Sequence, residues 1–140
     1  CVYNAKIKCI GMHEDTHIIS YAKFRPKSAF LREGLAMYMD KIWQGTLNEK
    51  CVYDIIKDKF DIDFYKLFDN DEFFKIDTNI SYPLAGSFVN YIITNFGIET
   101  FLNQLYYTKN EYTTQLDKLL QFKREDLMPM FVEFIKSKIV

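Results

Sequence analysis

The sequence predicts a mainly α (α+β) fold, on three observations. Apolar side chains recur at three- and four-residue spacing along most of the chain, one stretch near the N-terminus alternates strictly, and serine, proline and glycine fall where helices would start and stop. With 140 residues, 49% of them hydrophobic, the chain can bury roughly 68–70% of its unfolded surface in one core, so residues 1–140 read as a single domain.

The elements follow in order. Tyr3, Ala5, Ile7 and Cys9 alternate with Asn4, Lys6 and Lys8, the pattern of a half-buried strand ending at Gly11. A helix from about Met12 to Ala22 comes next and stops before Arg25-Pro26, because the residue before proline is pushed out of helical geometry. Ser28 suits the cap of a second helix running to about Trp43, with Phe30, Leu31, Leu35, Tyr38, Met39 and Ile42 as its apolar stripe and Gly45 as its stop. Cys51, Val52, Ile55 and Ile56 form the stripe of a third helix, from Asn48 to about Lys59.

Residues 61–79 combine acidic and aromatic side chains and predict short helical turns and loops that tuck phenylalanines under the domain. A calcium loop is not the reading, since the segment lacks the glycine such a loop turns on. Pro83 suits the first turn of a long helix that reaches Asn95 and stops at Gly97, burying Ala85, Phe88, Val89, Ile92, Ile93 and Phe96. Helices are expected again at about 98–107, 111–121 and 125–138.

A net charge of -1, from 18 basic and 19 acidic residues, gives no field that would draw nucleic acid or an anionic membrane. No apolar run approaches the ~18 residues of a transmembrane span. The chain starts at Cys1 in place of methionine, which points to a processing boundary and to the C-terminal part of a larger protein; localisation is left open on that ground. Cys1, Cys9 and Cys51 are odd in number and lack CxxC spacing, so core packing with at least one free thiol is expected over a disulfide framework or a cysteine zinc site.

The chemistry concentrates in His13-Glu14-Asp15-Thr16-His17. These are the only two histidines of the chain, and random placement would set them four apart with a following glutamate roughly one time in 1,200. On a helix, residues four apart share a face, so two neutral imidazoles can bind one zinc ion while the intervening carboxylate serves as general base. A zinc site of this kind takes a third protein ligand and keeps one position for water. Glu33, in "FLREGLAMYMD", lies sixteen residues after His17, far enough for the chain to turn at residues 25–27 and return alongside. Leu31, Leu35 and Tyr38 are expected to bury the face around it, and Gly34 to let this helix approach the histidine-bearing helix closely.

HExxH followed by Glu33-Gly34-Leu35-Ala36 resembles the gluzincin metallopeptidases, which include thermolysin-like and aminopeptidase N-like enzymes. The segment from Tyr82 to Gly97, "YPLAGSFVNYIITNFG", is similar to the stretch that follows the zinc ligands in the peptidase MA-like group. The three segments keep the family's order over about residues 12–97, with metal-binding helices expected over about 12–43 and C-terminal helices over about 82–138. The last forty residues resemble the group only in being helical.

The resemblance implies zinc (Zn2+) held by His13, His17 and Glu33, with Glu14 taking a proton from the water that attacks a peptide carbonyl. Tyr82 resembles the oxyanion-stabilising tyrosine of aminopeptidase N-like enzymes, although its spacing to the following glycine is one residue longer; the alternative is a tyrosine that only packs. Asp15 departs from the family, where that position is commonly apolar, and Asp40 is either an orienting carboxylate behind a histidine or a solvated helix end. The function implied is a zinc-dependent peptidase, a hydrolase acting on a peptide or protein substrate. The competing function is a non-catalytic module that keeps the peptidase scaffold and binds a protein or peptide partner. Tyr106, Tyr107 and Tyr112 form either an interaction patch or the packing between the last helices.

Overall fold

In a computed structural model, residues 27–57 and 62–139 are described, and they are mostly helical with one small antiparallel sheet, the mainly α (α+β) class expected. The strand at Tyr3–Cys9 and the helix at Met12–Ala22 lie outside the described residues. Helix α1 (Ala29–Asp40) leads into a hairpin of β1 (Ile42–Trp43) and β2 (Thr46–Leu47), then into α2 (Asn48–Ile56). Short helices α3 (Phe64–Leu67) and α4 (Asn70–Phe74) precede the long α5 (Thr78–Phe96). Helix α6 (Ile98–Thr100) continues into a π-helical segment (Phe101–Tyr106), followed by α7 (Tyr112–Leu120) and α8 (Arg124–Ile139).

Ser28 caps α1 as its sequence position suggests, its Oγ accepting from Leu31 N at 3.3 Å. The far end differs from the expected reach to Trp43. Lys41 takes a left-handed conformation (φ 70°) and closes the helix, and Ile42 and Trp43 turn outward as a strand paired with Leu47 and Thr46. Gln44 and Gly45 both have positive φ, the sign pattern of a two-residue type I′ hairpin, so Gly45 turns a hairpin where a helix stop was expected. The β-branched and aromatic residues flanking Gln44-Gly45 favour this ribbon over another helical turn. Ile42 consequently leaves the apolar stripe and is about half exposed.

Helix α2 ends at Ile56, with Lys57 as its C-cap, short of the expected Lys59, which lies outside the described residues. Of its predicted stripe only Val52 is fully buried; Cys51 is half-buried, its thiol pushed up in pKa by burial and then by Asp54. The acidic residues of the 61–79 segment have a structural reason. Asp63, Asp69 and Asp77 each accept a backbone N–H two residues on, at 3.0, 2.9 and 2.8 Å, and so start α3, α4 and α5. Phe64, Phe68 and Phe73 are buried between those starts.

Helix α5 corrects the expected start at Pro83. The Asp77 cap begins it at Thr78, so the proline lies inside and removes the bond that its N–H would have made to Asn79. Asn79 is used differently: its side-chain Oδ1 accepts from Trp43 Nε1 at 3.2 Å and Gln44 Nε2 at 3.3 Å, tying the hairpin to the first turn. The predicted end holds, with Gly97 (φ 91°) donating its N–H to Ile93 O at 2.8 Å.

Two glycines set the main helix pair. A Cβ on Gly34 would fall 2.7 Å from Val89 Cγ2 and 2.8 Å from Ala85 O; one on Gly86 would fall 2.7 Å from Met37 Cβ and from Asn48 Nδ2. Helices α1 and α5 therefore touch backbone to backbone. Around this seam Phe30 gathers the rings of Phe64, Phe68, Phe73 and Phe88, at centroid distances of 6.4, 5.5, 5.9 and 5.0 Å, joining α1, α3, α4 and α5 in one aromatic core. Phe131 of α8 closes it against Phe64 at 4.8 Å. The three tyrosines near the C-terminus also fall into packing: Tyr106 is fully buried, Tyr107 meets it edge-on at 5.0 Å, and Tyr112 stacks on Phe68 at 5.5 Å.

On the other side, Asp117 accepts the Tyr65 hydroxyl at 2.8 Å and both Arg124 Nε (3.1 Å) and Nη2 (2.7 Å), while the guanidinium lies 4.1 Å above the Tyr65 ring. This clip joins α3, α7 and α8. Arg124 first, then Tyr65, hold the Asp117 carboxyl below its ordinary pKa; burial and then Asp117 raise that of Tyr65 above the usual phenol value.

Two outcomes are expected. Gly34→Ala should destabilise the fold, because overpacking costs about 1–3 kcal/mol and outweighs the roughly 0.5–1 kcal/mol that alanine contributes to helix propensity; urea unfolding would read a lower midpoint at unchanged slope. Because the Asp117 pKa is lower in the folded state, its stabilisation is present above the unfolded value near 3.9 and is lost as pH falls through the folded value. Asp117→Asn should therefore flatten the fall in stability below about pH 4, which unfolding midpoints from pH 2 to 7 would measure.

Candidate metal centre

Of the four residues in the sequence-predicted centre, Glu33 belongs to the described residues; His13, Glu14 and His17, with Asp15, lie outside them. Glu33 is the fifth residue of α1 and half-buried. Its neighbours on the same helical face, at three and four residues in each direction, are Ala29, Phe30, Ala36 and Met37, all at most 1% exposed. Leu31 and Leu35, expected to bury the surroundings, are buried, while Tyr38 is half-buried. A carboxylate is thus set in an apolar strip of a rigid helix, the surroundings in which a charged group is stabilised by a cation or a set of donors.

Gly34 packs against α5, through Ala85 and Val89; the histidine-bearing helix expected as its partner lies outside the described residues. The contact fixes the rotation of α1 about its axis and so the face on which Glu33 lies. Among the described residues no three His, Cys, Asp or Glu side chains group as a metal site. The donor set expected from the sequence has two of its members, His13 and His17, outside the described residues. The chemistry of that donor set, two imidazoles and one carboxylate, fits zinc with a position left for water. Asp40, seven residues after Glu33, is the last residue of α1 and half-buried.

Tyr82 lies in the second turn of α5, with its ring between Trp43 (5.5 Å) and Phe73 (6.2 Å, nearly parallel). Those contacts fix the ring whatever its hydroxyl does. Trp43 is a residue that the sequence reading assigned to a helix end; the Gln44-Gly45 pair was the available signal that it stands on a hairpin.

A second polar feature escaped the sequence reading. Tyr38, Lys41, Asn48, Glu49, Asn90 and Lys138 line a cavity of about 330 Å³ beside the Gly86 contact. Asn48 is buried and donates through Nδ2 to Met37 O at 2.8 Å, and Asn90 Nδ2 donates to the Glu49 carboxylate. These bonds lock α1, α2 and α5 together. No periodicity marks them, since a buried asparagine at a helix start reads in sequence as an exposed one.

No family model matches the chain, and neither curated proteins nor solved structures give a match. Among the described residues no helix is long and apolar enough to cross a membrane.

Tyr82→Phe keeps both ring contacts and should change stability by no more than the ~0.5–1.5 kcal/mol of a typical hydrogen bond. Tyr82→Ala removes the rings' partner and should cost more than that. Thermal unfolding of the two variants separates the hydroxyl from the ring.

Proposed function

We propose that the protein is a zinc-dependent peptidase, a hydrolase of peptide bonds, with His13, His17 and Glu33 as zinc ligands. The observation that carries this reading is the HExxH segment followed by a glutamate on a helix face whose neighbours are buried. His13 and His17, four apart, offer neutral imidazole nitrogens, and Glu33 offers one carboxylate oxygen from a helix held rigidly against α5.

Bound there, zinc supplies Lewis-acid polarisation of the scissile carbonyl and a water of lowered pKa. Glu14 takes a proton from the attacking water and delivers it to the leaving amine, which avoids expelling an amide anion. Tyr82 donates a hydrogen bond from its hydroxyl to the developing oxyanion, with its ring already fixed by Trp43 and Phe73. The last assignment rests on the likeness of the Tyr82–Gly97 segment alone.

The non-catalytic module differs from the enzyme in one measurable respect, turnover. Chelator-sensitive cleavage of a quenched peptide library supports the peptidase; stoichiometric zinc with no cleavage supports the module. Glu14→Gln should retain zinc and lose turnover, and activity kept by the purified variant would refute the base assignment. His17→Ala and Glu33→Ala should each lose zinc, as elemental analysis would show. Tyr82→Phe should lower kcat by about 10²–10³-fold, the effect of removing one oxyanion donor.

A further inference from the structure

We infer that Asn70 is a positioning residue for Glu33, holding the start of α1 in place from a distant segment; the inference rests on the zinc reading. Asn70 is the first residue of α4, following the capping Asp69, and its side chain is turned away from its own helix. Its Oδ1 accepts from Ala29 N at 2.8 Å and its Nδ2 donates to Lys27 O at 2.9 Å. One side-chain amide thereby meets a backbone N–H and a backbone C=O two residues apart, as the backbone of a neighbouring strand would. Among uncharged side chains of this length only asparagine carries both functions, since aspartate accepts but cannot donate when ionised.

The contact falls where Glu33 is most sensitive to it. Ala29 lies four residues before Glu33, one helical turn along the same face, and its N–H is one of the donors that a helix start leaves without an internal partner. Tyr112 adds a second hold from α7: its hydroxyl oxygen accepts from Lys27 N at 3.1 Å and Ser28 N at 3.3 Å, while its ring stacks on Phe68. Arg32 closes the turn by donating from Nη1 to Lys27 O at 3.0 Å. The glycine seam fixes the rotation of α1 against α5, and the Asn70 amide fixes its position along the axis. Together they set the height of the Glu33 carboxylate.

The test is metal affinity and the visible spectrum of the cobalt-substituted protein at saturating cobalt. Asn70→Ala should weaken zinc binding by up to about 10-fold, the low end of the roughly 10–100-fold that follows loss of a group bonded directly to a ligand, and should shift the cobalt d–d bands. Asn70→Asp, keeping the acceptor and losing the donor, should shift them in the same direction, and Tyr112→Phe should weaken binding to a smaller extent. These two variants carry the test should Asn70→Ala fail to fold. Arg124→Ala breaks the clip on the other side and should leave affinity and spectrum as in the parent. Unchanged affinity and bands in the Asn70 variants, or an equal shift in Arg124→Ala, would overturn the inference while leaving the zinc reading in place. A parent protein that binds neither zinc nor cobalt would overturn the zinc reading itself, and the inference with it.

Discussion

The backbone contact between α1 and α5 is the constraint on which the other features depend. Two glycines, one on each helix, remove the side chains that would hold the pair apart, and what they touch is a carbonyl oxygen on one side and a Cβ on the other. Neither can move without moving its helix. The rotation of α1 is fixed as a result, with Phe30 turned into the aromatic core and Glu33 left half-buried beside it. A helix free to rotate by one residue would carry each side chain through about 100° and put Arg32 or Gly34 where the carboxylate stands.

The remaining structure supports that seam from its edges. Two aspartate caps, Asp63 and Asp69, turn the chain between α2 and α5 into short helices that deliver Phe64, Phe68 and Phe73 to the Phe30 ring, and a third, Asp77, starts α5. The hairpin covers the start of α5 through Trp43 on Tyr82 and Asn79, and the Tyr65–Asp117–Arg124 clip pins the C-terminal helices to the same short segment. The charged clip is surface-exposed and screened, so its contribution to stability is small.

Features governed by local chemistry were readable in the sequence. Ser28 and Gly97 bound their helices as expected, because a capping hydroxyl and a glycine of positive φ act on their own neighbours. Of the expected stripes, Phe30, Leu31 and Leu35 in α1 and Ala85, Phe88, Val89 and Ile92 in α5 are buried, while Tyr38, Met39, Ile93 and Phe96 are half-buried and Ile42 is exposed. Pro83 misled, since proline suits a first turn yet is also tolerated inside a helix whose start a stronger cap sets; Asp77 is that cap. The hairpin was hidden by Ile42 and Trp43, whose spacing continues the α1 stripe although their preference is for strands. Tertiary bonds such as those of Asn70, Tyr112 and Asn48 leave no mark in any window of the sequence, because each joins residues that are between 11 and 85 positions apart.

The proposed centre would combine a local pattern with a tertiary one: two histidines and a glutamate at helical spacing in the sequence, and a second carboxylate on α1. Zinc K-edge X-ray absorption on the purified zinc-loaded protein tests that combination most directly. The account predicts one zinc per chain surrounded by four nitrogen and oxygen donors at about 2.0–2.2 Å, with the outer-shell scattering of two imidazoles. Sulfur at about 2.3 Å, which would transfer the site to the cysteines, or a first shell with fewer than two imidazoles, would contradict it.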